Sequence, residues 1–197
     1  LAGCGNIYAD ESLFRAGIRP DAQLVSADRL KQLHLVPLSI SYEYDPCDFL
    51  KAKEFQQKRD NADWKKGPMD DLVSMQTGIF GYKGHVHYHA APCLDDYLDS
   101  LDSDMPKQDI YNKIAAYMDE QIFKNYRLYP GNYVALDLLE NSTAHQAEYT
   151  AEDKAKFEKY MAGQLAKIDL PNKDEAYLRE RILEMYANPV RNYLAAQ

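Results

Sequence analysis

The sequence predicts an α+β fold that is predominantly helical, and three observations carry that expectation. Two stretches, "LVPLSISYEYDP" and "GHVHYHAAP", have strand character. Beyond Lys107 the apolar residues recur at helical spacing instead. Start and stop residues for helices punctuate the remainder, among them Asn6, Gly17, Asp45-Pro46, Gly78 and Thr150.

In chain order, "GCGNIYADESLFRAG" predicts a helix over 6–16. Asn6 is its N-cap, Asp10 and Glu11 sit in its early turns, and Gly17 followed by Ile18 and Pro20 is its stop. After Ser26, "ADRLKQLH" predicts a second helix of barely two turns, with Leu30 and Leu33 on one face. The pattern then changes to period 2: Val36, Leu38, Ile40, Tyr42 and Tyr44 share one side, and Ser39, Ser41 and Glu43 the other. That is a strand, with Pro37 near its start where a missing donor is tolerated. Asp45-Pro46 predicts the N-terminus of a helix reaching about Arg59, and "PMDDLVSMQTG" a short one ending at Gly78. "GHVHYHAAP" is the second strand, closed by Pro92.

Ile110, Ile114, Tyr117 and Gln121/Ile122 mark a long amphipathic helix over 107–126. "YPGN" reads as a turn and "YVALDLLEN" as a short apolar helix. Thr150 with Asp153 opens the next, whose core face is Phe157, Tyr160/Met161, Leu165 and Ile168. Asn172 with Glu175 suggests a capping-box start for the last.

The 197 residues suffice for one good-sized domain or one with an extension, and 46% hydrophobic with 27% charged residues is globular usage. No apolar run approaches the roughly 20 residues that span a bilayer, and no secretory leader pattern is present, so a soluble chain is expected. Three scattered cysteines (Cys4, Cys47, Cys93) suit a reducing compartment and argue against both a disulfide framework and a Cys-based zinc module. Charge is uneven. Residues 1–34 hold four basic and four acidic side chains, so the whole net charge of −8 lies in residues 35–197. That larger part would repel a nucleic-acid duplex, and it has no polybasic stripe for anionic lipid.

Among chemistry-bearing residues, His85, His87 and His89 share a strand face, with neighbours about 6.6 Å apart and the outer pair about 13 Å. One zinc ion could take two of them and not three. An ordinary strand face rich in His is the expected reading, and no metal site is assigned. Cys93 lies near these histidines in sequence, but nothing in the sequence orients a base against it. Adjacent carboxylates such as Asp70-Asp71 and Asp95-Asp96 diverge, and are expected to cap helices or face water. Most of the 16 tyrosines are expected at core edges with hydroxyls in solvent. No residue is assigned a catalytic role. By contrast, backbone amides at the first helix, approached through Gly3 and Gly5, form a natural phosphate cradle, to which Asn6 adds a side-chain donor.

The string G-x-G-N-I-Y-x-D-E-x-L-F-x-A-G-I-x-P within residues 1–34 resembles the helix–two-turn–helix signature of bacterial formamidopyrimidine-DNA glycosylases. The resemblance implies that Gly5 and Asn6 hold a DNA phosphate, and that the parent enzyme excises oxidised purines. That family's N-terminal proline nucleophile, the glutamate after it and its four-cysteine zinc finger have no counterpart here. Residues 35–197 resemble the C-terminal part of bacterial 1-acylglycerol-3-phosphate acyltransferase-like proteins. "VPLSISYEYDP" is similar to the family's late V-P-φ-x-I strand, which implies a role for Val36 and Pro37 in walling the acyl site. "GHVHYHAAPCLDDYL" stands where the family has its next strand. The H-x4-D catalytic pair is missing: the position five beyond each histidine is Ser39, Ala90, Pro92, Leu94 or Thr150. The E-G-x-x-S phosphate motif is missing as well.

Together these readings predict three segments. Residues 1–34 are a partial helix–two-turn–helix element, 35–105 a strand–helix–helix–strand remnant of an acyltransferase domain, and 106–197 a helical extension. The expected function is that of a chimeric or truncated, inactive chain, mostly acyltransferase-like. The alternatives are a DNA-binding element of glycosylase type and a working acyltransferase completed by other residues or a partner. The chain itself is expected to hold no cofactor; the parents would use acyl-CoA or acyl carrier protein, and zinc. Expected partners are DNA phosphate through residues 1–17, a lysophospholipid or membrane surface for the acyltransferase parent, and a second copy of a chain whose missing strands leave apolar edges open. The expected location is cytoplasmic, peripheral at the inner membrane for that parent.

Overall fold

The computed structural model describes residues 30–102 and 104–197. The helix expected over 6–16 and its cap lie outside them. Among the described residues the fold is α+β and predominantly helical, with one two-stranded sheet. The elements are β1 (Leu38–Tyr42), α1 (Asp48–Asp60), α2 (Asp70–Phe80), β2 (Val86–Ala90) and α3 (Asp95–Asp99). Then come α4 (Lys107–Lys124), α5 (Pro130–Glu140), a 3-10 turn (Gln146–Glu148), α6 (Ala151–Ala166) and α7 (Glu175–Ala195). No described helix is long and apolar enough to cross a membrane.

The strands run antiparallel. The Glu43 N–H donates to the His85 carbonyl and the Ala91 N–H to the Pro37 carbonyl. The described residues form two compact units, 30–39 with 88–125, and 40–87 with 126–197.

In the first unit, Leu30, Leu94, Leu98, Ile110 and Ile114 make a small core. Two of the residues expected along α4, Ile110 and Ile114, supply it, while Tyr117 stacks on Tyr97 with centroids 3.8 Å apart. The Leu94 N–H bonds the Leu35 carbonyl at 2.8 Å, fastening the segment before β1 to the start of α3.

In the second unit α1, α5, α6 and α7 bury Ala52, Val134, Phe157, Leu165, Leu178, Ile182, Tyr186 and Val190. The α6 face is the expected one: Phe157, Met161, Leu165 and Ile168 are all buried. Residues of α2, by contrast, are buried nowhere; Leu72, Met75, Ile79 and Phe80 face outward.

The strand pattern at 36–44 has the expected period, with its faces set by the serines. Ser39 and Ser41 are buried, whereas Val36, Leu38, Ile40 and Tyr42 are exposed. Ser39 Oγ donates to the Ile122 carbonyl at the end of α4, and Ser41 Oγ accepts the Arg127 N–H at 3.0 Å. A small hydroxyl is what fits against, and satisfies, backbone groups left open at a helix end.

Several boundaries differ from expectation for local reasons. Asp45 accepts the Cys47 N–H at 2.8 Å, so the turn it makes precedes α1, which begins at Asp48. Gly78 lies inside α2, which stops at Gly81; a Cβ at Gly81 would meet Pro46 Cβ at 2.3 Å. "YPGN" is the first turn of α5: Pro130 takes the first helical position, and Asn132 Oδ1 accepts the Tyr129 N–H at 2.8 Å. The cap of α7 is Asp174, which accepts the Tyr177 N–H, instead of Asn172.

Candidate functional site

Gly5 and Asn6, the expected phosphate holders, lie outside the described residues. Val36 is half exposed and Pro37 is buried, its carbonyl engaged by the Ala91 N–H. The histidines of β2 are exposed. His85 is engaged: its Nδ1 lies 2.6 Å from Glu43 Oε2, which also accepts the His85 N–H. Glu43 Oε1 accepts from Lys156 Nζ at 3.1 Å. Burial opposes the charge of Glu43, but these bonds hold its carboxyl below the ordinary range. Gly84 permits the arrangement. Its φ is +61°, and a Cβ there would lie 2.4 Å from Glu43 Oε2.

A different cluster forms in the first unit. His34 Nδ1 lies 2.6 Å from Asp95 Oδ2, and Cys93 completes a group whose donor atoms lie within 4.8 Å of one another. The His34 bond holds the Asp95 carboxyl below the ordinary carboxylate range. Asp95 Oδ1 is buried with no hydrogen-bond partner. Cys93 and Asp95 flank Leu94, whose side chain is fully buried and whose N–H is tied to Leu35, the residue after His34. His34 has a φ of +47° and ends the helical turn at Leu30–Lys31, its N–H bonding the Lys31 carbonyl. Asp95 stands in the first turn of α3 without capping it, its carboxyl turned to His34, while Asp96 beside it is exposed. Asp70 does act locally, accepting the Gly67 N–H.

The second unit buries a polar network. Asp48 on α1 is fully buried; its Oδ2 accepts from the hydroxyls of Tyr160 and Tyr186, each at 2.8 Å, and its Oδ1 from Gln164 Nε2 at 2.7 Å. The Tyr186 hydroxyl also accepts the Asp45 N–H at 2.9 Å. Burial pushes Asp48 up to about 6, against the pull of the two tyrosine bonds. Burial, with the Asp48 charge beside them, pushes both tyrosines upward too. Tyr44 and Tyr186 are core residues, so tyrosine is not confined to core edges here. The network joins three helices within the core, which makes it a structural element.

A cavity of about 430 Å³ lies beside α1 and α2, lined by Lys51, Lys53, Trp64, Lys65, Lys66 and Asp70 among others. Two of its lysines are paired: Lys51 bonds Asp45, and Lys66 bonds Glu54 and, beyond the lining, Asp71.

Sequence reasoning missed His34 and Asp95 as a pair because they are 61 residues apart. The only local signal is the C-x-D spacing of Cys93 and Asp95.

Comparison with known proteins finds one short, strong similarity. Over 36 residues the chain is 67% identical to the formamidopyrimidine-DNA glycosylase of Nitratidesulfovibrio vulgaris (strain Hildenborough). The match covers 17% of this chain and 10% of that protein. No family model matches, and no solved structure does. Nothing found supports the acyltransferase resemblance of residues 35–197. A short segment of the chain is therefore similar to a DNA glycosylase.

Proposed function

We propose that the opening segment is a DNA-backbone contact, with Gly5 and Asn6 holding one phosphate, and that it is carried on an acidic, mainly helical chain. The 67% identity over 36 residues carries this reading. Amides at a helix N-terminus approached through glycine bind anions, and Asn6 adds a side-chain donor. Base excision is not part of the proposal, since the chain spans about a tenth of the length of that relative. The −8 charge beyond residue 34 opposes a polyanion, so binding is weak and confined to low salt. Titration of a fluorescent duplex into the intact chain tests it. Asn6→Ala removes one phosphate hydrogen bond and is expected to weaken binding about fivefold. Equal affinities for the two chains would refute the role of Asn6.

One observation favours a second reading, in which residues 35–197 are the remnant of an acyltransferase and the chain is a fusion of two pieces. The apolar residues of β1 face outward, and α2 buries none of its side chains. Such surface is ordinary for elements that have lost neighbouring layers. On this reading the native chain self-associates, giving a light-scattering mass that rises with concentration, and Ile79→Asp with Phe80→Ser lowers it. A monomeric mass at every concentration contradicts it.

A further inference from the structure

We infer that His34, Cys93 and Asp95 bind one zinc-class divalent cation, leaving a fourth coordination position open to solvent. The site is independent of DNA contact and of any four-cysteine module.

Imidazole nitrogen, thiolate sulfur and carboxylate oxygen together suit a borderline-soft ion and disfavour magnesium or calcium. The three donors already lie within 4.8 Å of one another. Metal–ligand bonds of about 2.0–2.3 Å in tetrahedral array put donors roughly 3.3–3.8 Å apart, so side-chain adjustment alone closes the site. His34 Nδ1 and Asp95 Oδ2, now 2.6 Å apart, share a proton close to where the ion would sit. Binding at Nδ1 shifts the imidazole proton to Nε2 and releases the Cys93 thiol proton to solvent, while the pair opens by roughly 0.7 Å.

A second observation points the same way. Asp95 Oδ1 is buried and accepts no hydrogen bond. Desolvated acceptors are almost always satisfied, and a cation at this position supplies the missing partner. The frame is rigid: the Leu94–Leu35 bond and the burial of Leu94 fix both strands of the cluster before any ion arrives. Among the described residues, Asp96 and Asp99 lie near the cluster's Asp95 with Lys31, which is bonded to Asp99. The His34 side chain is 73% exposed, so the ion can enter and one position stays open to water or an incoming ligand.

The reduced, intact chain is titrated with Co²⁺ and followed by absorbance. The expected result is one equivalent bound, with a thiolate-to-cobalt charge-transfer band that Zn²⁺ abolishes. Cys93→Ser loses the band, His34→Gln and Asp95→Asn weaken binding at least tenfold, and Cys47→Ser and His87→Gln leave it unchanged. Zn²⁺ also raises the melting temperature of the native chain, a readout that needs no variant. Absence of the band in the native chain, its survival in Cys93→Ser or its loss in His87→Gln would overturn the site.

Discussion

Phe157→Ala is expected to destabilise the second unit by about 3–5 kcal/mol, the range for emptying a large aromatic site in a packed core. Phe157 is 1% exposed, and its ring meets Tyr186 edge-on with centroids 5.2 Å apart. It also covers Gly131 so closely that a Cβ there would lie 2.9 Å from Phe157 Cδ2. The ring therefore bridges α5, α6 and α7, and these helices cannot close over its space without moving the polar network beside it. Urea denaturation of native chain, Phe157→Leu and Phe157→Ala measures the effect, with the leucine variant losing less than half as much. A loss under about 1 kcal/mol for alanine contradicts the packing described.

The second large effect belongs to Asp48. Asp48→Ala leaves the Tyr160 and Tyr186 hydroxyls and the Gln164 amide without their common acceptor, at a cost of about 2–4 kcal/mol. Asp48→Asn keeps the shape and removes the charge, so it isolates the pH dependence. The folded carboxyl titrates at about 6 against an ordinary 3.8. Because the folded value is raised, the contribution of this group is full below the ordinary value and is lost as pH rises through about 6. At 1.36 kcal/mol per pH unit, about two units correspond to about 3 kcal/mol. The asparagine variant is therefore expected to gain on the native chain by up to that amount between pH 4 and 7. Parallel stability profiles for the two chains would contradict an Asp48 carboxyl raised to about 6 by burial.

Some of this was legible in residue patterns and some was not. Period 2 at 36–44 identifies a strand, yet the buried side belongs to Ser39 and Ser41, because their partners are the backbone groups of Ile122 and Arg127, far along the chain. Helix periodicity found the core face of α6 because side chains at i, i+4 and i+8 face one way whatever they meet. Cap residues were less reliable: Asp174, Pro130 and Gly81 each act a few residues from the expected position, where a tertiary contact or a fixed φ outweighed local preference. The Asp48 network had no sequence signal, and the His34–Cys93–Asp95 cluster only the C-x-D spacing of Cys93 and Asp95, since each gathers residues from distant segments. For the opening segment the reverse holds. Its glycines and Asn6 are informative as sequence alone, and a 36-residue stretch of the chain is 67% identical to a DNA glycosylase.

On the function proposed above, the opening segment contacts DNA phosphate. Duplex affinity of the intact chain, measured from about 10 to 200 mM salt, tests it most directly. Phosphate contact predicts an affinity that falls as salt rises, and Asn6→Ala, which removes a neutral donor, is expected to lower it about fivefold at each salt without changing the slope. No detectable binding at the lowest salt, or an affinity that Asn6→Ala leaves unchanged, would contradict it.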